Sequence, residues 1–189
     1  MPAVDDFCRS YLDLKYHFDP SAASAAGLVS HDARVGSFDG ESVRAHVAAL
    51  RSLTGALEEL EPDELHEEID RTALLGEMRT MVYRLEYERP NVRNPAFWLS
   101  HLLQGLYGLL ARHQPDLSAR VPAVLARLQA TPAFLDQARE TIDDPPSVFV
   151  DTTLAMLGGA GQLIAELVAA STGAAPDLAD SLKDAGQGA

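Results

Sequence analysis

Cysteine is almost absent. One residue, Cys8, stands among 189, so no internal disulfide can form and no cysteine cage can hold zinc. Cys8 is also a poor candidate nucleophile. It sits at an acidic helix start, where neighbouring carboxylates push a thiol away from its reactive thiolate. Basic residues are scarce as well: 15 Lys and Arg face 28 Asp and Glu, a net charge of −13. A surface of that sign repels the phosphates of nucleic acid and of anionic membranes, so neither is expected as a partner. The opening MPAVDDFCRS lacks the basic region and apolar core of a signal peptide. No apolar run is read as long enough to span a bilayer. The expected location is therefore the cytoplasm.

Catalytic patterns are missing too. His66-Glu67-Glu68-Ile69-Asp70 begins like a metalloprotease helix, but its fifth position is Asp where the second zinc-binding His should be. Asp63-x-x-His66 imitates half of a di-metal carboxylate bundle, and no second Glu-x-x-His completes it. No Gly-rich loop follows a strand, and no G-x-S-x-G occurs. Eight acids lie between Glu58 and Asp70. They read as a solvated helix surface massed where a helix dipole favours negative charge.

What is present is helical periodicity. The most apolar window is Asn94 to His113, read as the central helix. Asn94 suits the N-cap and Pro95 the first helical position, where its missing N–H is harmless. Leu99, Leu102, Leu103, Leu106, Leu109 and Leu110 then recur at three and four spacing. Trp98, His101, Gly105 and Gly108 form a second face. Two glycines inside a helix call for the close approach of another element, and Gly158, Gly159 and Gly161 of the last helix are natural partners for them. Pro115 closes the pattern.

Around this helix the chain predicts an all-α array of about seven helices, mostly with antiparallel neighbours. Phe7, Tyr11, Leu14 and Phe18 stripe a first helix over about 4–18. Asp19-Pro20 restarts the chain, and Gly27 ends a short helical piece. Val43, Val47, Leu50 and Leu57 stripe the next helix; Leu74, Met78, Met81 and Leu85 stripe another, which continues to about Arg89. Two shorter helices follow over about 117–129 and 131–142, the second capped by Thr131. The last long helix spans about 147–170, with Val150, Leu154, Leu157, Gly161, Ile164 and Val168 inward. Residues 1–172 read as one domain and 173–189 as a weak helix or frayed tail.

Candidate binding residues follow from position alone. His31 and Asp32 lie in the longest irregular connection of the first half, and ordered loops often carry function. Tyr83 and Tyr87 share a helix face four residues apart. With Trp98, His101 and Tyr107 they are candidate walls of a groove. No residue is assigned a catalytic or metal-binding role.

Several segments, taken in order, resemble one bacterial family. They are Asp19-Pro20 with Gly27 and His31-Asp32, then Arg93-Asn94-Pro95-x-Phe97. Arg127-Leu128-x-x-x-Pro132-x-Phe134-Leu135-x-x-Ala138-Arg139 and Pro145-Pro146 follow. The order resembles the N-terminal half of the family of unknown function DUF885, over about Phe7 to Val168. The resemblance implies a mostly helical scaffold. In longer members it also implies a zinc-dependent peptidase whose metal-binding helix lies in a C-terminal half. Zinc is thus implied only for the full-length family, and no zinc ligand transfers to any residue here. The expected partner is the C-terminal half of the same protein, with a homodimer as a further expectation. The alternative is a free-standing helical module that binds a peptide, a small apolar ligand or a partner helix.

Overall fold

The structure, a computed structural model, describes residues 4–113 and 116–189. Among them the only regular elements are helices. These are α1 (Val4–Phe18), α2 (Pro20–Ala25), α3 (Gly40–Glu58), α4 (Leu65–Tyr83), α5 (Pro90–Arg93), α6 (Pro95–Ala111), α7 (Leu117–Thr141), α8 (Ser147–Ala174) and α9 (Ala179–Gly188). The caps follow the sequence: the side chains of Asp19, Asp39 and Asn94 accept the amides of Ala22, Ser42 and Ala96, satisfying orphan first-turn donors. Pro115 lies outside the described residues.

The helices gather round two cores. Phe7 and Tyr11 of α1, Leu50 and Leu57 of α3, and Leu74, Leu75 and Met78 of α4 make the first. Trp98, Leu102, Leu106 and Leu109 of α6 make the second, with Val121, Val124 and Leu128 of α7, Leu167 of α8 and Leu182 of α9. Phe18, at the end of α1, touches the second core and the small bridging cluster of Val43, Val47 and Leu85. The central helix is central in fact: α6 packs on α2, α5, α7 and α8.

One loop is held from both sides. The Asn91 side chain donates to the Phe38 carbonyl at 2.8 Å, and the Phe38 amide donates to Gln137 Oε1 at 3.1 Å. Trp98 Nε1 in turn donates to the Asn91 carbonyl at 2.8 Å. Phe38 is thereby fixed in the middle of the second core.

Several expectations are corrected. The two shorter helices are one, α7, which runs through Pro122 and Pro132. Thr131 does not cap a helix; its hydroxyl bonds back to the Arg127 carbonyl within α7. A proline removes one amide, and packing of the buried side of α7 overrides that loss. α4 does not reach Arg89 as an α-helix. It passes at Arg84–Glu88 into a π-helical turn, ended by Arg89 in the left-handed region at φ 49°. Of the two alternatives for 173–189, a weak helix or a frayed tail, the structure has the helix: α9 buries Leu182 completely. On α8 the buried residues are Ala160, Leu167 and Ser171, whereas Leu154, Leu157 and Gly161 face outward. A helix that is apolar all round gives periodicity no face to choose. Its only charges are Asp151 and Glu166, so α8 is, by length and composition, long and apolar enough to cross a membrane, with mean hydropathy 1.4. Its apolar character is spread over many small residues, among them Ala155, Gly158, Gly159, Ala160 and Gly161.

The glycine pairing also differs. A methyl group on Gly105 would meet Ser21 Oγ at 2.6 Å and Arg127 Nη1 at 2.7 Å, while Gly108, Gly158, Gly159 and Gly161 have nothing within 4 Å of that position. Gly105 thus admits α2 and an arginine of α7, and no glycine of α8. We expect Gly105→Ala to destabilise the protein by about 1–3 kcal/mol through overpacking. Gly158→Ala and Gly161→Ala should each stabilise it by up to about 1 kcal/mol, because Ala is the better helix former in open space. Denaturant midpoints of the three variants check both signs.

Candidate functional site

A cavity of about 460 Å³ opens where the two cores meet, lined by residues from α1, α3, α4, the π-helical turn, α6 and the Phe38 loop. Its floor is aromatic. Phe38 meets Phe18 edge-on at 5.1 Å and Phe97 edge-on at 5.0 Å, and Phe18 stacks flat on His46 at 4.1 Å. His101 tilts against Phe97 at 4.2 Å and Phe38 at 4.7 Å. Met81, Leu85 and Pro90 complete the apolar lining, and Lys15, Arg84, Asp19 and Glu88 bring charge to it.

Asp19 and His101 form the polar centre. Asp19 caps α2 and turns its other oxygen toward His101 Nε2 at 3.5 Å. The Phe97 carbonyl accepts from His101 Nδ1 at 2.7 Å, which leaves Nε2 to carry a proton toward Asp19 only when the ring is charged. Burial opposes charge on His101. The Asp19 hydrogen bond, the Phe97 carbonyl and the Asp19 charge together outweigh it, and the pKa is raised. Burial likewise opposes charge on Asp19, but His101 and the amides of α2 hold its carboxyl below the usual value. His46, behind Phe18, is the opposite case. Burial, and then repulsion from His17, push its pKa down to about 4, so it sits neutral in the cavity wall. Perturbed groups in a concave apolar site mark it as the functional candidate.

The seven residues singled out from the sequence do not share one groove. His101 alone lines this cavity. Trp98 is buried inside the second core and does not line this cavity. Tyr83 and Tyr87 do stack on each other, 5.3 Å apart, but they stand exposed on the far side of α4, beside Arg51 and Arg79. Tyr107 is exposed on α6 and lines none of the cavities described here.

His31 and Asp32 belong to a buried arginine network. Asp32 is chelated by both terminal nitrogens of Arg112. Arg127, 1 % exposed, donates to the Gly105 carbonyl at 2.5 Å and Ser24 Oγ at 2.7 Å, and more weakly to the carbonyls of His31 and Pro20. Arg120 donates to the Leu109 carbonyl. The partner of Asp32, Arg112, lies 80 residues away in the sequence.

The sequence reading missed Asp19, Phe38, His46 and Arg84 as cavity residues. It missed Arg127 as well, although that residue had a signal. Arg120 and Arg127 fall on the same helical face as Val121, Val124 and Leu128, and a charge on an apolar stripe announces a buried partner.

Among the described residues no three His, Cys, Asp or Glu side chains gather closely enough to hold a metal ion. His66 is exposed and meets only Glu64, at 3.2 Å. Burial and the charges of Asp70 and Asp5 raise the Cys8 pKa.

The sequence pattern of the bacterial proteins of unknown function DUF885 matches residues 20–189. The chain belongs to this family. No curated protein matches it. Among solved structures it is similar to "a putative lipoprotein of unknown function from Shewanella oneidensis", at 18 % identity and a TM-score of 0.79. The match covers 99 % of this chain and 37 % of that one, so this DUF885 chain spans little more than a third of the solved protein's length. At that identity the likeness shows the fold alone.

Proposed function

We propose that this DUF885 chain is the helical scaffold region of a longer protein of hydrolase type, similar to zinc-dependent peptidases. In that reading it walls one side of a substrate channel with the cavity at Asp19 and His101, and it supplies no catalytic group. The observation that carries the scaffold reading is the outer side of α8. Leu154 and Leu157, one turn apart, are 61 % and 51 % exposed there, and Val148 at the start of the helix is 60 % exposed, along a helix whose apolar window is only 11 % buried. Exposed apolar surface of this kind marks an interface. The solved lipoprotein supports the choice of occupant, because most of its chain lies beyond the part matched here. A bilayer is the weaker occupant, since Asp151 and Glu166 on α8 would be costly in lipid.

Without its covering part the chain should self-associate. We expect dimers or larger species by light scattering, growing with concentration. Leu154→Glu with Leu157→Glu, both on the open side, should return it to a monomer. A wild-type monomer at high concentration would count against the scaffold reading. Cleavage of a peptide by the purified chain with added zinc would overturn its non-catalytic part.

The cavity favours a second reading, a free-standing module that binds a peptide or small apolar ligand. A monomer that binds such a ligand tightly would favour that reading over the first.

A further inference from the structure

We propose that the cavity beside Asp19 and His101 recognises an apolar residue bearing a free carboxylate, such as the C-terminal residue of a peptide. The inference rests on this cavity being a ligand-facing wall, and it needs no residue outside this chain.

The floor sets the first half of the preference. The half-buried rings of Phe18 and Phe97 each pack edge-on against the buried Phe38, at 5.1 Å and 5.0 Å, with Met81, Leu85 and Pro90 beside them. An aromatic or branched aliphatic side chain gains contact on such a surface, and a polar one loses its water without replacement.

The charges around the floor set the second half. Most are already committed. Lys15 Nζ lies 3.3 Å from Glu77, and His101 faces Asp19. Among the described residues the Arg84 side chain makes no ion pair or hydrogen bond, although its field helps to lower the Glu77 pKa. Arg84 is therefore the cation of the lining whose fork of donors is open, and a carboxylate matches that fork with two parallel bonds.

The net charge limits the ligand further. Lys15 and Arg84 are balanced by Asp19 and Glu88, and His101 adds one positive charge when its ring is protonated. One negative charge is accommodated there. A doubly charged phosphate would crowd Asp19 and Glu88. The volume of about 460 Å³ lies in the range of small-molecule sites and suits a terminal residue with part of its neighbour.

The site also has a built edge. The π-helical turn Arg84–Glu88 closes through the Arg89 amide on the Arg84 carbonyl at 2.8 Å. Single π turns inside helices recur at functional sites. Here the turn contributes Arg84, Leu85 and Glu88 to one cavity.

The test is a titration of the isotope-labelled whole chain, followed by NMR, with three probes: N-acetylphenylalanine, N-acetylphenylalaninamide and N-acetylaspartate. We expect N-acetylphenylalanine to shift signals of Phe97, His101 and Leu85. The amide, which lacks only the carboxylate, should bind about 10-fold to 100-fold more weakly, the range for one charge-assisted hydrogen-bonding group. N-acetylaspartate, which keeps the carboxylate and loses the ring, should bind more weakly still. Arg84→Ala should weaken the acid by the same factor and leave the amide unchanged. Arg84 is exposed, so the variant should fold, and an unchanged melting curve confirms it. Equal binding of acid and amide, or an Arg84→Ala variant that binds the acid as well as wild type, would overturn the carboxylate preference while leaving the wall reading intact. Silence of the cavity signals with all three probes would overturn the wall reading itself.

Discussion

Arg127→Ala should destabilise the protein by about 3–5 kcal/mol, the cost of breaking a buried charged network by removing one member. Arg127 sits wholly inside, and its guanidinium serves α2, the His31 loop and α6 together. Its loss would take from Ser24 Oγ its buried partner, with a desolvation penalty of about 1–3 kcal/mol, would remove the added bond to the Gly105 carbonyl, and would leave a cavity. The guanidinium is itself strained by its setting. Burial lowers its pKa to about 10, with Asp32 and then Asp19 countering that fall and Arg112 adding to it. Arg127→Lys should recover little, because one ammonium cannot reach Gly105 on one side and Ser24 on the other. Urea unfolding of wild type and both variants checks the prediction. A loss below about 1 kcal/mol for Arg127→Ala would show that the network contributes little net stability.

Acid should weaken the fold through His46. Its folded pKa is about 4, against an ordinary value near 6.5. Below pH 6.5 the unfolded chain takes up a proton that the folded form refuses until about pH 4. Stability therefore falls with pH through that window, by about 2 kcal/mol at pH 5 and roughly 3 kcal/mol by pH 4. His101 works the other way. Its pKa is raised, so its contribution is complete below the ordinary value and is lost as pH rises through the raised one. Asp19, with its pKa lowered, keeps its contribution above its ordinary value and loses it in stronger acid. His46→Phe retains an aromatic ring against Phe18 and removes the titration. We expect its unfolding free energy to hold steady or rise between pH 6.5 and 5, where wild type declines. Parallel profiles for the two proteins would place the acid sensitivity elsewhere.

The sequence carried the helices well because their signals are local. Asp19, Asp39 and Asn94 cap where capping residues should, and Val43, Val47, Leu50 and Leu57 are buried as their spacing implies. Locality also explains the failures. Thr131-Pro132 read as the start of a new helix, yet the contacts that keep α7 whole come from α6, α8 and α9. α8 is apolar on every side, so its inward face is decided by neighbours and not by its own spacing.

The site was less legible for the same reason. His101 was singled out, but Asp19 was read only as a cap, and nothing near it in sequence points to a histidine in another helix. Phe38, His46 and Arg84 come from three separate segments and meet only after the two cores are joined. Asp19, Asp32, Phe97 and Arg127 all lie in the segments that carried the family resemblance. The structure shows those segments meeting around the cavity and the arginine network. The resemblance thus held spatial information that helical periodicity could not supply.

The clasp on Phe38 has a consequence for how the chain is made. Its amide waits for Gln137, 99 residues later, and Ser24 waits for Arg127, 103 residues later. A growing chain releases α1 to α4 well before either partner. The first core can close on local contacts while the loop before α3 stays unclasped and Phe38 lacks its settled place. The Phe38 floor of the cavity between the cores is thus among the last features to settle, because its clasp is complete only when α7 arrives.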